Sequence, residues 1–404
     1  MKILHVITSM NPKLGGVCQV LRNLNPHLVE KGINVEIVCL DEKDDDFGIK
    51  DDFVIHKTGP GKTSYKYQPK LTKWLINNVL NFDCVVVHGL WQYHNFAVNK
   101  SIRLLKKQNI KVPKVVIMPH GMLDPYFQKS MERRWKAHRN EMVWFFIEKQ
   151  CINDADVVFY TCEEEMRLAA TTFKEYKPQK VANVGLGIQS PPRNIDDFKQ
   201  AFYNQCTEIR DKKYFLFLSR IDEKKGIDLL INAYNELCHE NPDLPDLVIA
   251  GPLESLFAQK MVALASHNQF IHFSGMLSGE AKWGAFYNCE AYLLPSHQEN
   301  FGIAIVEAMA CKKPVLITEN VNIWREIHEG GGGWIVSLKE KDGLKKALLE
   351  IINHPQEKLV AKGLKAFKTY QNNFDIEICA NKFIQELKNI YGNTKIYRHD
   401  TQIR

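Results

Sequence analysis

Residues 2–40 read KILHVITSMNPKLGGVCQVLRNLNPHLVEKGINVEIVCL, and this stretch decides the fold. Residues 2–8 form a short apolar run rich in β-branched side chains, the pattern of a buried strand, and Gly15-Gly16 supplies a tight turn after it. Val17, Val20, Leu21, Leu24 and Leu28 then recur on one helical face until Gly32 stops the helix and residues 33–40 return as a second strand. The unit is βαβ, and a helical crossover makes its two strands parallel.

The same alternation continues outward. Strands are expected at 84–87, 114–118 and 157–160, and Thr161 with Glu164 has capping-box spacing for the helix that follows. The pattern breaks at Gly187-Ile188-Gln189-Ser190-Pro191-Pro192, and residues 187–212 read as a linker. A second series then places strands at 214–218, 247–250, 270–273, 291–294 and 314–318. The expected architecture is α/β, with two Rossmann-like doubly wound domains, 1–190 and 191–374, facing across a cleft. In such sheets ligands bind beyond the carboxyl ends of the strands. A last amphipathic helix carries Ile376, Ala380, Phe383, Leu387 and Ile390 on one face, and residues 392–404 read as a polar tail.

Composition narrows the function. The 404 residues are 45% hydrophobic and 25% charged, as in ordinary globular chains. With 53 Lys and Arg against 47 Asp and Glu, the net charge of +6 is too mild for a dedicated nucleic-acid binder. Ten scattered cysteines without C-x-x-C spacing read as reduced, buried fillers. The N-terminus lacks signal-peptide character and no run reaches the length of a spanning helix, so a cytoplasmic location is expected.

The chemistry concentrates on loops after strands. In LPSHQENFGIAIVEAMA, residues 294–310, Glu299 lies on a loop and Glu307 a turn or more inside the next helix. Gly302 permits close backbone approach, and the loop amides of Asn300, Phe301 and Gly302 suit phosphate oxygens, as carboxylates suit sugar hydroxyls. On another loop, in Ser219-Arg220-Ile221-Asp222-Glu223-Lys224-Lys225-Gly226, Arg220 and Lys225 can converge on one diphosphate. Two His-Gly pairs, His88-Gly89-Leu90-Trp91 and His120-Gly121-Met122-Leu123, end strands of the first domain. The spacing around Gly15-Gly16 is not G-x-G-x-x-G, which argues against an NAD site.

The 294–310 segment resembles the E-x7-E signature of the retaining GT-B glycosyltransferases of family four, and the similarity extends over nearly the whole chain. The resemblance implies that Glu299 contacts the donor hexose and Glu307 the nucleotide ribose. It assigns the donor diphosphate to Arg220 and Lys225, a place near the reacting carbon to His120, and phosphate approach to Gly16. The strand-end loops with Gly251 and Met276 would hold the base through backbone atoms, and His88 with Trp91 would lie toward the acceptor. The donor is then a nucleotide-diphosphate sugar and the acceptor a saccharide. The wording of the His-Gly motifs is similar to bacterial enzymes of surface-polysaccharide assembly.

Asp44-Asp45-Asp46 and Asp154-Ala155-Asp156 formally match D-x-D, yet the first lies in a charged loop and the second precedes a strand. With Arg220 and Lys225 to neutralise the leaving group, no metal or other cofactor is expected. Residues 129–149 hold Lys129, Arg133, Arg134, Lys136, Arg139 and Lys149 against Glu132, Glu141 and Glu148, with Met131, Trp135, Met142 and Phe145 near helical spacing. Such a segment either packs its apolar stripe on its own sheet or lies on the anionic inner face of a membrane, which would suit a lipid-linked acceptor. Two rivals keep the architecture: a sugar-nucleotide epimerase, and a non-catalytic partner of an assembly complex.

Overall fold

The computed structural model describes residues 1–14, 16–129, 134–241 and 244–391, and the chain divides into two compact units. The divisions fall at 187/188 and 375/376, so the chain returns to the first unit for its last described helix, Ile376–Tyr391.

Unit 1 is built on a parallel sheet of seven strands: β1 (Lys2–Val6), β2 (Asn34–Cys39), β3 (Val54–Lys57), β4 (Cys84–His88), β5 (Lys114–Met118), β6 (Val157–Tyr160) and β7 (Val181–Asn183). Their spatial order is β3-β2-β1-β4-β5-β6-β7, so the direction of winding reverses between β1 and β4. Both sheet faces are buried, as parallel sheets require. Leu4, Val6, Val85 and Val87 face the helices Pro69–Asn78 and Tyr93–Lys107. Ile3, Val86 and Val116 face Leu24 and Leu28 of helix Gly16–Glu30 together with Phe383 and Leu387 of Ile376–Tyr391. Each fully buried Leu or Phe contributes on the order of 1.5–3 kcal/mol.

Unit 2 carries six parallel strands: β8 (Tyr214–Leu218), β9 (Asp246–Ala250), β10 (Ile271–Gly275), β11 (Ala291–Leu294), β12 (Val315–Thr318) and β13 (Gly333–Val336). Their order is β10-β9-β8-β11-β12-β13, with the reversal between β8 and β11.

Three local expectations are corrected. Residues 187–212 are not a plain linker: Asp196–Gln205 is a helix that packs on helix Gly279–Asn288, burying Phe198, Phe202 and Tyr203. Those three rings at i, i+4 and i+5 are a helical face inside a polar stretch. The helix after Thr161 starts one residue later than the capping-box reading places it, at Glu163 with Cys162 at its cap. Thr161 donates from both N–H and hydroxyl to Glu165, while Glu164 pairs with Arg167.

The third concerns residues 129–149. Arg134–Val143 is α-helical, Trp144–Glu148 forms a π turn, and Lys149–Asp154 resumes the α-helix. The reading in which the stripe packs on its own sheet fails, since Trp135 is 90% exposed and Met142, Phe145 and Phe146 are exposed as well. The buried side chains are Ala137, Asn140, Trp144 and Glu148, the opposite face of the segment at helical spacing. Met131, Glu132, Arg133 and the tail 392–404 lie outside the described residues, as does Gly15.

Candidate active site

In unit 2 the loops after β8 and β11 meet at the reversal in strand order, the place where open α/β sheets bind ligands. Gly226 closes the first loop with φ +65°, and a Cβ there would stand 2.0 Å from the carbonyl oxygen of Pro295 at the start of the second. His297 N–H donates to the Lys224 carbonyl oxygen at 2.7 Å, so the loops are also tied by backbone. Asp222 orders the turn: its side chain accepts from Lys224 N–H and its carbonyl from Lys225 N–H.

This contact brings the Lys225 ammonium onto the Glu299 carboxylate as an ion pair. Both side chains are largely shielded, at 12% and 18% exposure, so the pair is weakly screened. Glu299 is held from behind. Its N–H donates to the Asn320 carbonyl at 3.1 Å and its carbonyl accepts from Asn322 N–H at 3.0 Å. Glu307, one turn into helix Ile303–Ala310, pairs with Lys282 at 2.9 Å. Arg220 is exposed and has no ion-pair partner among the described residues.

Gly251 packs against the Ser219 carbonyl and its N–H bonds the Gly275 carbonyl, while Met276 is exposed at the end of β10. The Asn300 side-chain oxygen accepts from the Asn322 amide, and its backbone N–H donates to Glu299 Oε1. Gly302, with φ +79°, caps helix Ile303–Ala310. Phe301 is placed otherwise than a ligand contact needs: its ring is buried edge-on against Phe374, so it anchors the loop and leaves only its backbone to a ligand.

Unit 1 assembles histidines at its own reversal. His5 of β1, His88 at the end of β4 and His120 just beyond β5 share the face of Ile3, Val86 and Met118. His5 Nδ1 lies 2.9 Å from His88 Nε2, and His88 Nδ1 lies 2.9 Å from His120 Nε2. Burial holds all of them neutral: it lowers His5 to about 3 and His120 to about 4, and takes His88 well below the ordinary imidazole value. His94 donates from Nε2 to the His88 carbonyl at 2.9 Å. Gly16 opens helix Gly16–Glu30 after β1.

Two buried acids fix the loops around these histidines. Glu165 accepts from Gly121 N–H at 2.5 Å, which pins the residue after His120. Glu148 accepts from Trp91 N–H at 2.7 Å and from the Asn95 amide, which stabilises the left-handed backbone of Trp91 at φ +68°. Burial raises the Glu148 carboxyl to about 7. Sequence reasoning missed Lys282, Glu165, Glu148 and His5. Only His5 left a visible trace, as a polar residue at an inward position of an apolar strand.

The acidic triplets have structural partners. Asp156 takes Lys114 and the Val115 N–H, Asp154 takes Asn99, and Asp45 and Asp46 accept backbone N–H groups of their own loop.

The family model for glycosyl transferases group 1 matches residues 199–368, and that for the glycosyl transferase 4-like domain matches residues 15–187. The chain is a group 1 glycosyltransferase. Similar curated proteins include the phosphatidyl-myo-inositol mannosyltransferase of Mycolicibacterium smegmatis, 30% identical over 36% of this chain and 38% of that protein. A probable sucrose-phosphate synthase of Thermosipho melanesiensis is 29% identical over 41% of this chain and 39% of its own. The glycosyltransferase thus aligns with about two-fifths of the length of these relatives. Its GT-B fold is shared with the glycosyltransferase of Rickettsia africae ESF-5, at TM-score 0.75 and 16% identity over 97% of this chain and 99% of that one. Anabaena HepE in complex with UDP-glucose matches at TM-score 0.74 and 15% identity over 96% of this chain and 100% of the other. Among the described residues, no helix of the glycosyltransferase is long and apolar enough to cross a membrane.

Proposed function

We propose that this glycosyltransferase moves a hexose from a nucleotide-diphosphate sugar to a hydroxyl of a saccharide acceptor, with retention at the anomeric carbon. The observation that carries the reading is the Lys225–Glu299 pair at the strand-order reversal of unit 2, with Arg220 exposed on the same loop. A cation that meets the leaving diphosphate and a carboxylate that meets sugar hydroxyls are thereby neighbours, as the two halves of one donor require.

In this reading Arg220 and Lys225 stabilise the charge that develops on the departing diphosphate, in a preorganised way that needs no metal. Glu299 orients the hexose, Glu307 holds the ribose, the Gly251 and Met276 loops hold the base by backbone contacts, and His120 contacts the transferred sugar. The leaving phosphate oxygen takes the acceptor proton on the face from which it departs. Among solved neighbours, HepE is described in complex with UDP-glucose.

The acceptor in this proposal is lipid-linked and belongs to cell-surface polysaccharide assembly on the inner face of the cytoplasmic membrane. The exposed Trp135, Met142, Phe145 and Phe146, flanked by Arg134, Lys136, Arg139 and Lys149, have the aromatic and basic character of a peripheral contact with anionic lipid. A relative named for mannosyl transfer to phosphatidyl-myo-inositol supports a lipid acceptor.

Thermal shift across a panel of UDP-, GDP- and ADP-sugars, repeated on Lys225→Met, tests the donor half. A donor that stabilises the wild type and leaves the variant unmoved supports the reading; equal stabilisation of both removes it. Product analysis by NMR fixes the anomeric outcome. Sedimentation with phosphatidylglycerol vesicles tests the membrane half, with Phe145→Ser/Phe146→Ser expected to remain in the supernatant.

A further inference from the structure

We infer that His5 and His88 are positioning residues that lock His120 into one tautomer, so that its free edge donates a hydrogen bond to a sugar hydroxyl oxygen. The inference rests on the reading that places His120 against the transferred sugar.

The two ring-to-ring contacts, His5 Nδ1 to His88 Nε2 and His88 Nδ1 to His120 Nε2, are both 2.9 Å and each needs one N–H. Neutral imidazoles carry a single N–H apiece. His88 sits in the middle, so its one proton sets the direction of the whole chain and only two arrangements satisfy both contacts. In the first, His5 Nδ1–H donates to His88 and His88 Nδ1–H donates to His120, which must then keep its own proton on Nδ1. In the second, every donor is reversed, and the proton of His5 is forced onto Nε2.

The His5 environment decides between them. His5 is wholly buried, and its Nε2 has no partner among the described residues. The reversed chain would therefore bury an orphan N–H, the rarer and costlier of the two defects, whereas the forward chain leaves only a bare lone pair there. The His88 backbone is fixed independently, since His94 Nε2–H donates to its carbonyl at 2.9 Å.

The forward chain gives His120 a defined chemistry. Its Nε2 is occupied as an acceptor and its Nδ1–H is left to donate, so the free edge binds a hydroxyl oxygen and cannot serve as a base. The reversed chain would present a bare Nδ1 with the opposite properties. A residue on the far side of His88 from His120 thus sets what His120 offers to the sugar.

Long-range 15N–1H correlation spectra of the full chain, with ring-15N histidine, read the tautomers directly and need no donor. His120→Ala assigns the His120 signals. The expected result is protonation of His5, His88 and His120 at Nδ1 and of His94 at Nε2; His88 or His120 protonated at Nε2 overturns the inference. His5→Asp places an acceptor-only carboxylate at the start of the chain, and the expectation is reversal, with His120 protonated at Nε2. An unchanged His120 in folded His5→Asp also overturns it. Should that variant fail to fold, the wild-type spectrum still decides. Failure of the donor reading would appear instead as unimpaired transfer by His120→Ala, a separate measurement.

Discussion

The Lys225 ammonium and the Glu299 carboxylate form an ion pair across the reversal between β8 and β11, though 74 residues separate them in the chain. Lys225→Met removes the cation assigned to the leaving diphosphate and leaves Glu299 without its partner. Turnover in a donor-dependent transfer assay is expected to fall by about 10²- to 10³-fold, the usual effect of losing one preorganised donor. Arg220→Lys keeps the charge but loses the planar fork, so it should weaken donor binding while the melting temperature stays put. A Lys225→Met rate within twofold of wild type would count decisively against the assignment.

Gly226 cannot be replaced without moving the adjoining loop. Its φ is +65° and an added Cβ would sit 2.0 Å from backbone oxygen of Pro295, an atom with no freedom to swing aside. Gly226→Ala should cost about 1–3 kcal/mol through backbone strain alone, before the clash is counted. At Gly302 the nearest atom is the Cδ1 of Ile305, a side-chain end that can rotate away, so Gly302→Ala is expected to be the milder change. Denaturant midpoints of the two variants check the ranking.

Glu165 holds three donors: Gly121 N–H, Thr161 N–H and the Thr161 hydroxyl. Glu165→Ala removes this acceptor from all three and should cost at least the roughly 1–3 kcal/mol of one unsatisfied buried group, the Gly121 N–H. The sharper readout is amide exchange at Gly121, which should accelerate far beyond that of β5 residues. Protection retained at Gly121 would mean that another group holds the loop.

The neutral histidines make unit 1 sensitive to acid. Burial depresses His5 to about 3 and His94 and His120 to about 4 from an ordinary 6.5, and His88 falls well below 6.5 too. A depressed folded-state value means the unfolded chain binds more protons, so this stability is complete above pH 6.5 and drains as pH drops toward 4. Each such histidine multiplies the unfolding equilibrium by up to about tenfold per pH unit in that window. Glu148, raised to about 7 from 4.5, acts in the opposite sense, losing stability as pH rises from 4.5 through 7. Four histidines outweigh one glutamate, so the melting temperature of unit 1 should decline from pH 6.5 to 4. A flat or rising profile would contradict the burial of these rings.

Much of the fold could be read from the chain because parallel strands buried on both faces leave apolar runs that stand out, as Val85-Val86-Val87 and Tyr292-Leu293-Leu294 do. The edge strand Val54–Lys57 left no such run, being only half buried, and Gly333–Val336 hides behind consecutive glycines. At the candidate site, the loops after β8 and β11 could be picked out because each follows an apolar strand, whereas the roles given to Glu299, Glu307, Arg220 and Lys225 came from the family resemblance. Lys282, Glu148 and Glu165 could not be picked out, since each acts from a helix distant in sequence and only packing brings it to its partner. Trp135, Met142 and Phe145 could be read as one stripe, but spacing alone left open whether it packs or faces outward, and the structure leaves it exposed.

The return of helix Ile376–Tyr391 to unit 1 has a bearing on biogenesis. During synthesis, β1 to β7 leave the ribosome long before Phe383 and Leu387, so the part of the first sheet that these residues cover stays bare while the whole of unit 2 is made. Nascent chains of this enzyme should therefore depend on chaperone shielding until helix Ile376–Tyr391 has emerged. For the same reason, premature stop codons near residue 375 would release an aggregation-prone product even though every proposed donor-binding residue had been translated.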